Sequence, residues 1–270
     1  MKAVATIATA LLLSAAATLL TLAAPAAAGF TSAQLRTIAA APPQNAILPP
    51  DLAFITAANQ PTTLAQALGG VPSVVIFADY TCRTLCGPIL EFAAAGLAKT
   101  GLRPGSDYRL VVIGINPKDG PEAARTMRAA HIGPGDQVGG ATVFLIGGET
   151  EINAVTAALG FHDAYDAEHD QYAHPAAAYV IDARGRVRRV LSALSLSGAE
   201  LRLALVEAGQ GTVGTFADRI HLLCYGYDPI RGIYTERITT MLAIAAGATL
   251  LVMAGGVLLM LTRERRRLAP

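Results

Sequence analysis

The 270-residue sequence predicts an α/β domain in which helices pack on a central sheet. Short apolar runs of the kind that buried strands show begin near residues 73, 108 and 141. Each run is followed by a segment with helical periodicity, at 85–101, 121–133 and 149–161. This alternation of strand and helix is typical of one layered α/β domain.

The rest of the predicted domain follows the same pattern. Two more strands are expected at 176–182 and 185–194, joined by a turn, and a closing helix at 197–209 begins at a favourable cap, Ser197. In the first helix, Leu90, Ala94 and Leu97 share one face, which predicts that this face is buried. We therefore assign residues 47–210 to a single domain, preceded at 29–46 by a spacer rich in Ala and Pro.

Composition and motifs exclude several classes of function. The formal net charge is +1, from 21 basic and 20 acidic residues, and no Lys or Arg cluster alternates with aromatic residues in the middle of the chain, so we expect no nucleic-acid partner. The sequence also has no GxSxG, HExxH, phosphate-loop or dinucleotide motif, and no CxxCH motif for c-type haem.

Two terminal segments supply much of the high hydrophobic fraction of 53%. Residues 1–28 have the apolar stretch and the small residues of a cleaved signal peptide, with a retained anchor as the alternative. Residues 239–262 are uncharged and long enough for a transmembrane helix, and the basic tail at 263–270 is expected in the cytoplasm. The sequence thus predicts a single-pass protein of the inner (cytoplasmic) membrane with a periplasmic or extracytoplasmic domain, joined to its anchor by residues 211–238.

Two cysteines, Cys82 and Cys86, lie where the first predicted strand meets the first helix, a place where open α/β sheets usually bind ligands. If the helix begins near Cys82, the four-residue spacing lets both sulfurs face the same side. The helix N-terminus and Arg83 are expected to lower the thiol pKa values and so to favour the thiolate, which binds metals and attacks disulfides. The CxxxC spacing favours a metal pair over a redox pair, with a static disulfide or two core cysteines as the alternatives.

His174 stands directly before the predicted strand at 176–182, far along the chain from the cysteines. Two thiolates and one imidazole form a set of ligands that suits copper, and sulfur in particular selects copper(I). A lone histidine at such a place is more often a loop residue, and the sequence alone cannot bring it to the cysteines. Asp79, next to the first strand, is interpreted as a cap for the following turn, with proton acceptor as the alternative.

The third cysteine, Cys224, lies in the segment LLCYGYDPIRGIY. It is either an auxiliary sulfur for the same site, which can also resolve a disulfide there, or a free thiol packed under the tail tyrosines. The nearby His221 is a weaker candidate for an auxiliary ligand. His131 ends a predicted helix, and the segment 161–172, which holds His162 and His169, is interpreted as a solvated acidic loop rather than a weak metal site.

The strings FADYTCRTLCGPILEF, GLRPGSDYRLVVIGINPKDGPEAA, TVFLIGGETEI and QYAHPAAAYVIDARGRVRRVL are similar, in order and spacing, to the Sco/SenC family over residues 47–230. The resemblance implies a thioredoxin-like fold. It also implies that Cys82, Cys86 and His174 bind copper and that the protein helps to assemble the copper centre of cytochrome oxidase. The implied partners are the copper-bearing oxidase subunit and periplasmic copper or thiol donors.

The chain departs from the family pattern at two places. Arg83 follows the first cysteine where the family commonly has proline, and Gly87 separates the second cysteine from Pro88. These changes affect backbone stiffness and charge, and hence the redox potential. We therefore keep two alternatives to the copper-binding assembly factor: a thiol–disulfide oxidoreductase that uses Cys82 and Cys86 as a redox pair to keep partner cysteines reduced, and an inactive docking module.

Overall fold

A seven-stranded mixed sheet forms the centre of the domain in the computed structural model, which describes residues 36–82, 86–133, 137–167, 170–210, 225–228, 233–236, 246–256 and 260. Its strands are β2 (Ala53–Thr56), β3 (Pro61–Thr63), β4 (Ser73–Ala78), β5 (Arg109–Gly114), β6 (Thr142–Ile146), β10 (Ala177–Ile181) and β11 (Val187–Ser192). Their order across the sheet is β11-β10-β4-β5-β6-β2-β3. Strands β4, β5 and β6 are parallel, whereas β10, β11, β2 and β3 run antiparallel to their neighbours.

Five helices cover the two faces of this sheet: α1 (Leu64–Leu68), α2 (Cys86–Ala98), α3 (Pro121–His131), α4 (Glu149–Leu159) and α5 (Gly198–Ala208). Buried residues of α2, α3 and α5 form one hydrophobic cluster with alternate residues of β4, such as Val74 and Ile76. Buried residues of α1 and α4 form a second cluster with the intervening residues Val75 and Phe77. Because successive side chains of a strand point to opposite faces, β4 is buried on both sides.

The predicted α/β class and the predicted order of the main elements are confirmed. Leu90, Ala94 and Leu97 are buried on one face of α2, as their spacing predicted. Ser197 caps α5, because its hydroxyl accepts a hydrogen bond from the backbone N–H of Glu200 at 3.3 Å. A central sheet flanked by helices agrees with the thioredoxin-like architecture that the family resemblance implied.

The sequence did not predict the edge formed by β2, β3 and α1. Strand β2 pairs antiparallel with both β3 and β6. Thr63 and Gln66 begin α1 with a capping box, in which each side chain accepts a hydrogen bond from the other residue's backbone N–H. These elements have only three to five residues each, which is too short for a clear periodic signal.

The segment interpreted as a solvated acidic loop forms strands. Strand β7 (Phe161–His162) pairs with β1 (Ala39–Ala40), and β8 (Ala164–Asp166) pairs with β9 (Gln171–Ala173) in a hairpin of its own. The end of the predicted spacer is tied to the domain through β1. It is also tied by Ala46, which is buried and accepts a hydrogen bond from the N–H of Val187.

The described part of the C-terminal region contains a short hairpin and a helical stretch. Strands β12 (Tyr225–Asp228) and β13 (Ile233–Glu236) pair antiparallel within the predicted juxtamembrane tail, and residues 246–256 are helical. Within the described ranges, no helix has both the length and the apolar character needed to cross a membrane. The predicted signal peptide, the remainder of 239–262 apart from residue 260, and the basic tail lie outside the described residues.

Candidate metal centre

The sheet topology brings the predicted site residues to one place. Strand β10 runs antiparallel to β4, with Ala178 opposite Ile76 and Ile181 opposite Ser73, so the beginning of β10 lies beside the end of β4. Strand β4 leads into the turn that carries Cys82, and α2 begins at Cys86. His174 stands three residues before β10, and therefore lies at the same edge of the sheet as both cysteines.

Two of the predicted ligands, Cys86 and His174, are in contact. The Sγ atom of Cys86 lies 3.0 Å from Nε2 of His174, although 88 positions separate the two residues in the sequence. Cys86 is fully buried, Cys82 is partly exposed, and neither forms a disulfide. The two thiols are also close enough to share a hydrogen bond. Folding thus places Cys86 in contact with both His174 and Cys82.

The thiol of Cys86 is held in its protonated form. Its hydrogen bond with Cys82 raises the pKa of Cys86 well above the ordinary value, and burial raises it further. The expectation of a lowered thiol pKa is therefore wrong for Cys86. The helix N-terminus does not offset the low polarity of the site and the second sulfur beside it. Any metal bound here must displace that proton.

The ring of His174 is oriented by the chain around it. A carbonyl oxygen can only accept, so the 3.2 Å contact of Nδ1 with the carbonyl of Pro175 assigns the ring proton to Nδ1. The lone pair of Nε2 then faces the sulfur of Cys86 at 3.0 Å. The imidazole lies against Phe161, with ring centroids 5.9 Å apart, and Phe161 contacts Phe77 in the core at 4.3 Å.

The turn that holds Cys82 is stabilised from two sides. Asp79 Oδ1 accepts hydrogen bonds from the N–H of Thr81 at 3.0 Å and from its hydroxyl at 2.7 Å, which confirms the capping interpretation of Asp79. The N–H of Cys82 donates to the carbonyl of Asp79 at 3.1 Å. From the loop that follows the neighbouring parallel strand β5, Oδ2 of Asp119 accepts the N–H of Tyr80 at 2.8 Å. Asp119 was not singled out from the sequence, although its place just after a buried strand was the available signal.

Asp119 is a buried carboxyl group in an unusual state. Its pKa is raised to about 6, chiefly by burial and in smaller part by the charge of Asp79, while the hydrogen bond from Tyr80 acts in the opposite direction. Among the described residues, neither Oδ1 of Asp119 nor Oδ2 of Asp79 has a hydrogen-bond partner. Two buried carboxyl groups therefore support the cysteine turn, although one oxygen of each has no hydrogen-bond partner among the described residues.

The Gly87 departure from the family pattern has a structural reason. A Cβ atom at this position would come within 2.3 Å of Cε1 of His131. The imidazole of His131 lies over the first turn of α2, with its Nδ1 atom 2.8 Å from Oε1 of Glu91. Glycine at this position thus makes room for a histidine–carboxylate pair.

The remaining predicted candidates are not part of the contacts around Cys86. His162 is exposed in β7. Burial raises the pKa of its neighbour Asp163, and the charges of His174 and His162 oppose that rise. Arg83, His169, His221 and Cys224 lie outside the described residues. In the part of the chain that the structure describes, no group of three or more His, Cys, Asp or Glu side chains is already arranged to hold a metal ion. The fit to a metal therefore rests on the donor types and on two contacts of Cys86, one with the imidazole of His174 and one with the thiol of Cys82.

Comparisons with known proteins agree with this architecture. The SCO1/SenC family model matches residues 41–205. The SCO1/SenC family lipoprotein of Bacillus anthracis str. Ames is 20% identical, with a TM-score of 0.50, over 64% of this chain and all of its own. BsSco, described as a member of the Sco family of cytochrome c oxidase assembly proteins with a disulfide switch, is 19% identical, with a TM-score of 0.51, over 62% of this chain and 96% of its own. These two likenesses show a shared fold.

A third solved structure is the copper-bound ScoI of Bradyrhizobium japonicum, which is 18% identical, with a TM-score of 0.48, over 61% of this chain and 99% of its own. No curated protein sequence matches the chain significantly. The family model covers more than half of the 270 residues, including both cysteines of the turn and His174. The chain belongs to the SCO1/SenC family.

Proposed function

We propose that this protein is a membrane-anchored copper-binding factor that assists assembly of the copper centre of cytochrome oxidase, with Cys82, Cys86 and His174 as its copper ligands. The observation that carries the proposal is the 3.0 Å contact between Sγ of Cys86 and Nε2 of His174. Membership of a family that includes cytochrome c oxidase assembly proteins supports the role. The copper-bearing oxidase subunit is the proposed recipient, and periplasmic copper or thiol donors are the proposed suppliers.

The chemistry of the donors favours copper(I) over harder cations. Thiolate sulfur is a soft ligand that selects copper(I), and imidazole also suits copper. Because the pKa of the Cys86 thiol is raised, binding must release a proton from that sulfur. The nearby carbonyl of Pro175 keeps the proton of His174 on Nδ1, which leaves Nε2 available to the metal.

The difference in exposure between the two cysteines gives them different parts in delivery. Cys86 is fully buried beside His174, whereas Cys82 is partly exposed in the turn before α2. A ligand from a partner can approach Cys82 first, and the copper cargo then passes by exchange of one ligand at a time. Anchoring donor and recipient in one membrane would raise their effective concentration, so a modest contact surface suffices.

Copper(I) titration of the reduced chain, in competition with a chromophoric copper(I) chelator, tests the proposed ligands. We expect one copper per chain. Substitutions Cys82→Ser, Cys86→Ser and His174→Ala should each weaken binding by more than about 100-fold, because each removes a ligand and not merely an outer-shell partner. His162→Ala is the matched control, since His162 is an exposed histidine in β7 that the proposal does not use. Unchanged affinity in His174→Ala would refute the ligand set.

A thiol–disulfide oxidoreductase is the second candidate, because Cys82 and Cys86 are not joined in a disulfide and are close enough to share a hydrogen bond. In this reaction the Cys82 thiolate attacks a partner's disulfide, the partner's second sulfur leaves as a thiolate, and Cys86 then resolves the mixed disulfide. The chain ends as a disulfide and needs a thiol donor to reduce it again. His174→Ala separates the candidates, because it should abolish tight copper binding yet leave exchange with a model disulfide largely intact. An inactive docking module would instead leave oxidase assembly unaffected by Cys82→Ser.

The membrane arrangement is a separate part of the proposal. Residues 1–28 would direct export and residues 239–262 would anchor the chain, as their uncharged composition and the basic cluster that follows favour. Alkaline phosphatase, which is active only outside the cytoplasm, should be active when fused after residue 210 and inactive when fused after residue 270. The opposite pattern would overturn the proposed orientation.

A further inference from the structure

A network of three exposed side chains joins two loops beside the candidate metal centre. Nζ of Lys118 donates hydrogen bonds to Oδ1 of Asp170 at 2.6 Å and to the hydroxyl of Tyr165 at 3.1 Å. The Tyr165 hydroxyl donates to the same carboxylate oxygen at 2.6 Å. The ammonium group also lies 5.3 Å from the centroid of the Tyr165 ring. We call Lys118, Tyr165 and Asp170 the latch.

The latch connects the histidine side of the site to the cysteine side. Tyr165 and Asp170 belong to the β8–β9 hairpin, whose last residue, Ala173, directly precedes His174. Lys118 precedes Asp119, whose carboxyl group accepts the N–H of Tyr80 in the cysteine turn. A single loop after β5 therefore contacts both the turn that carries Cys82 and the hairpin that leads into His174.

The hairpin has little other sheet support in the described part of the chain. Strands β8 and β9 pair only with each other, over three residues each, and are not part of the seven-stranded sheet. A two-stranded hairpin of this kind is marginally stable in water by itself. Tyr165 lies against Tyr172, its partner on the other strand, with ring centroids 4.9 Å apart and ring planes tilted by 44°, so a bond to its hydroxyl restrains both strands of the hairpin.

We propose that the latch is a positioning device that keeps His174 against Cys86, so that breaking it withdraws the imidazole from the metal site. Its effect on copper rests on the proposed function. Where only a fraction of the molecules has the binding-competent arrangement, the apparent dissociation constant rises by the inverse of that fraction. The latch is exposed, with side-chain accessibilities of 62% for Lys118 and 63% for Asp170, so salt should weaken it.

The electrostatics of the pair agree with a formed latch. The hydrogen bond with Asp170 raises the pKa of Lys118, and the same bond lowers the pKa of Asp170. Asp170 also has a left-handed backbone, with φ of 46°, which aspartate tolerates better than most residues. The turn of the hairpin therefore adopts an uncommon conformation where its carboxylate meets Lys118.

The test compares Lys118→Met with Lys118→Arg and with the control Arg103→Met. Arg103 forms an ion pair with Asp107. This pair lies just before β5 begins, whereas Lys118 lies after β5 ends. In the full, reduced, metal-free chain, we expect faster amide hydrogen exchange at residues 171–173 and a shifted His174 ring resonance in Lys118→Met. Lys118→Arg should restore both, and Arg103→Met should change neither.

Copper(I) binding supplies the second measurement on the same variants. Lys118→Met should weaken binding by about two- to fivefold at low salt, with a smaller difference at high salt. Exchange rates and ring resonance equal to those of the Arg103→Met control would overturn the latch. So would an unchanged copper affinity in a variant whose hairpin is loosened. If the unmodified chain bound no copper, the proposed function would fail, and the metal-free measurements would still test the latch.

Discussion

Replacing Gly96 with alanine should destabilise the domain, because the helix that begins at Cys86 passes very close to the segment after β11. A Cβ atom at position 96 would lie 2.2 Å from the carbonyl oxygen of Leu196 and 2.7 Å from Cδ1 of Leu201. Carbon and oxygen atoms normally approach no closer than about 3.3 Å. The helix and the Leu196 backbone would therefore have to separate by about 1 Å.

Two opposing terms set the magnitude. Alanine is favoured over glycine in a helix by about 1 kcal/mol, which would stabilise the variant. Overpacking of a close contact costs about 1–3 kcal/mol, and occasionally more. Here the cost should reach or exceed that upper limit, because a backbone carbonyl cannot rotate away as a side chain does. We expect a net loss of about 2 kcal/mol, which lowers Tm by about 4–8 °C for a domain of this size.

Gly87→Ala is the matched control in the same helix. Its Cβ would meet the ring of His131, at 2.3 Å from Cε1, but that side chain is partly exposed and can turn outward. Turning the ring outward would break the contact of His131 with Glu91, and an exposed pair of this kind is worth about 0–1 kcal/mol. The change from glycine to alanine would again favour the helix by about 1 kcal/mol, which offsets that loss. Urea denaturation of the reduced chain should give a change within about 1 kcal/mol of zero for Gly87→Ala. Equal stability of Gly96→Ala and the unmodified chain would refute the close-contact argument.

Three further predictions follow from the site and its supports. Because the folded state raises the pKa of Asp119 from 3.8 to about 6, its contribution to stability should be greatest below pH 4 and decline by at most about 3 kcal/mol as the pH rises to 6. Urea denaturation at several pH values should show this decline, and Asp119→Asn should remove it. Copper(I) affinity should rise with pH, by up to about tenfold per unit for each proton displaced, because the thiol of Cys86 is protonated in the metal-free chain; affinity independent of pH in competition titrations would contradict this. Ser197→Ala should destabilise the chain by about 1 kcal/mol in the same denaturation assay, since it removes the cap of α5, whereas Ser197→Thr should retain most of the stability.

Sequence pattern alone predicted the elements at the centre of the sheet. Strand β4 has six consecutive buried residues, and a strand buried on both faces must be apolar throughout, so its signal is strong. The same reasoning located Cys82 and Cys86 in the turn between this strand and its helix. It did not find β8 and β9, because three-residue strands with polar side chains resemble a loop.

The sequence by itself determined the layered fold class, the position of the two cysteines at a strand end, and the Ser197 cap of α5, since these depend on neighbouring residues. Only the tertiary structure brought His174 to Cys86, because that contact depends on β10 returning beside β4 after nearly one hundred residues. It also reversed the expected pKa shift of Cys86 and revealed Asp119 as a support of the cysteine turn. Burial and contacts between distant segments depend on the whole fold, so they cannot be inferred from the pattern of neighbouring residues in the sequence.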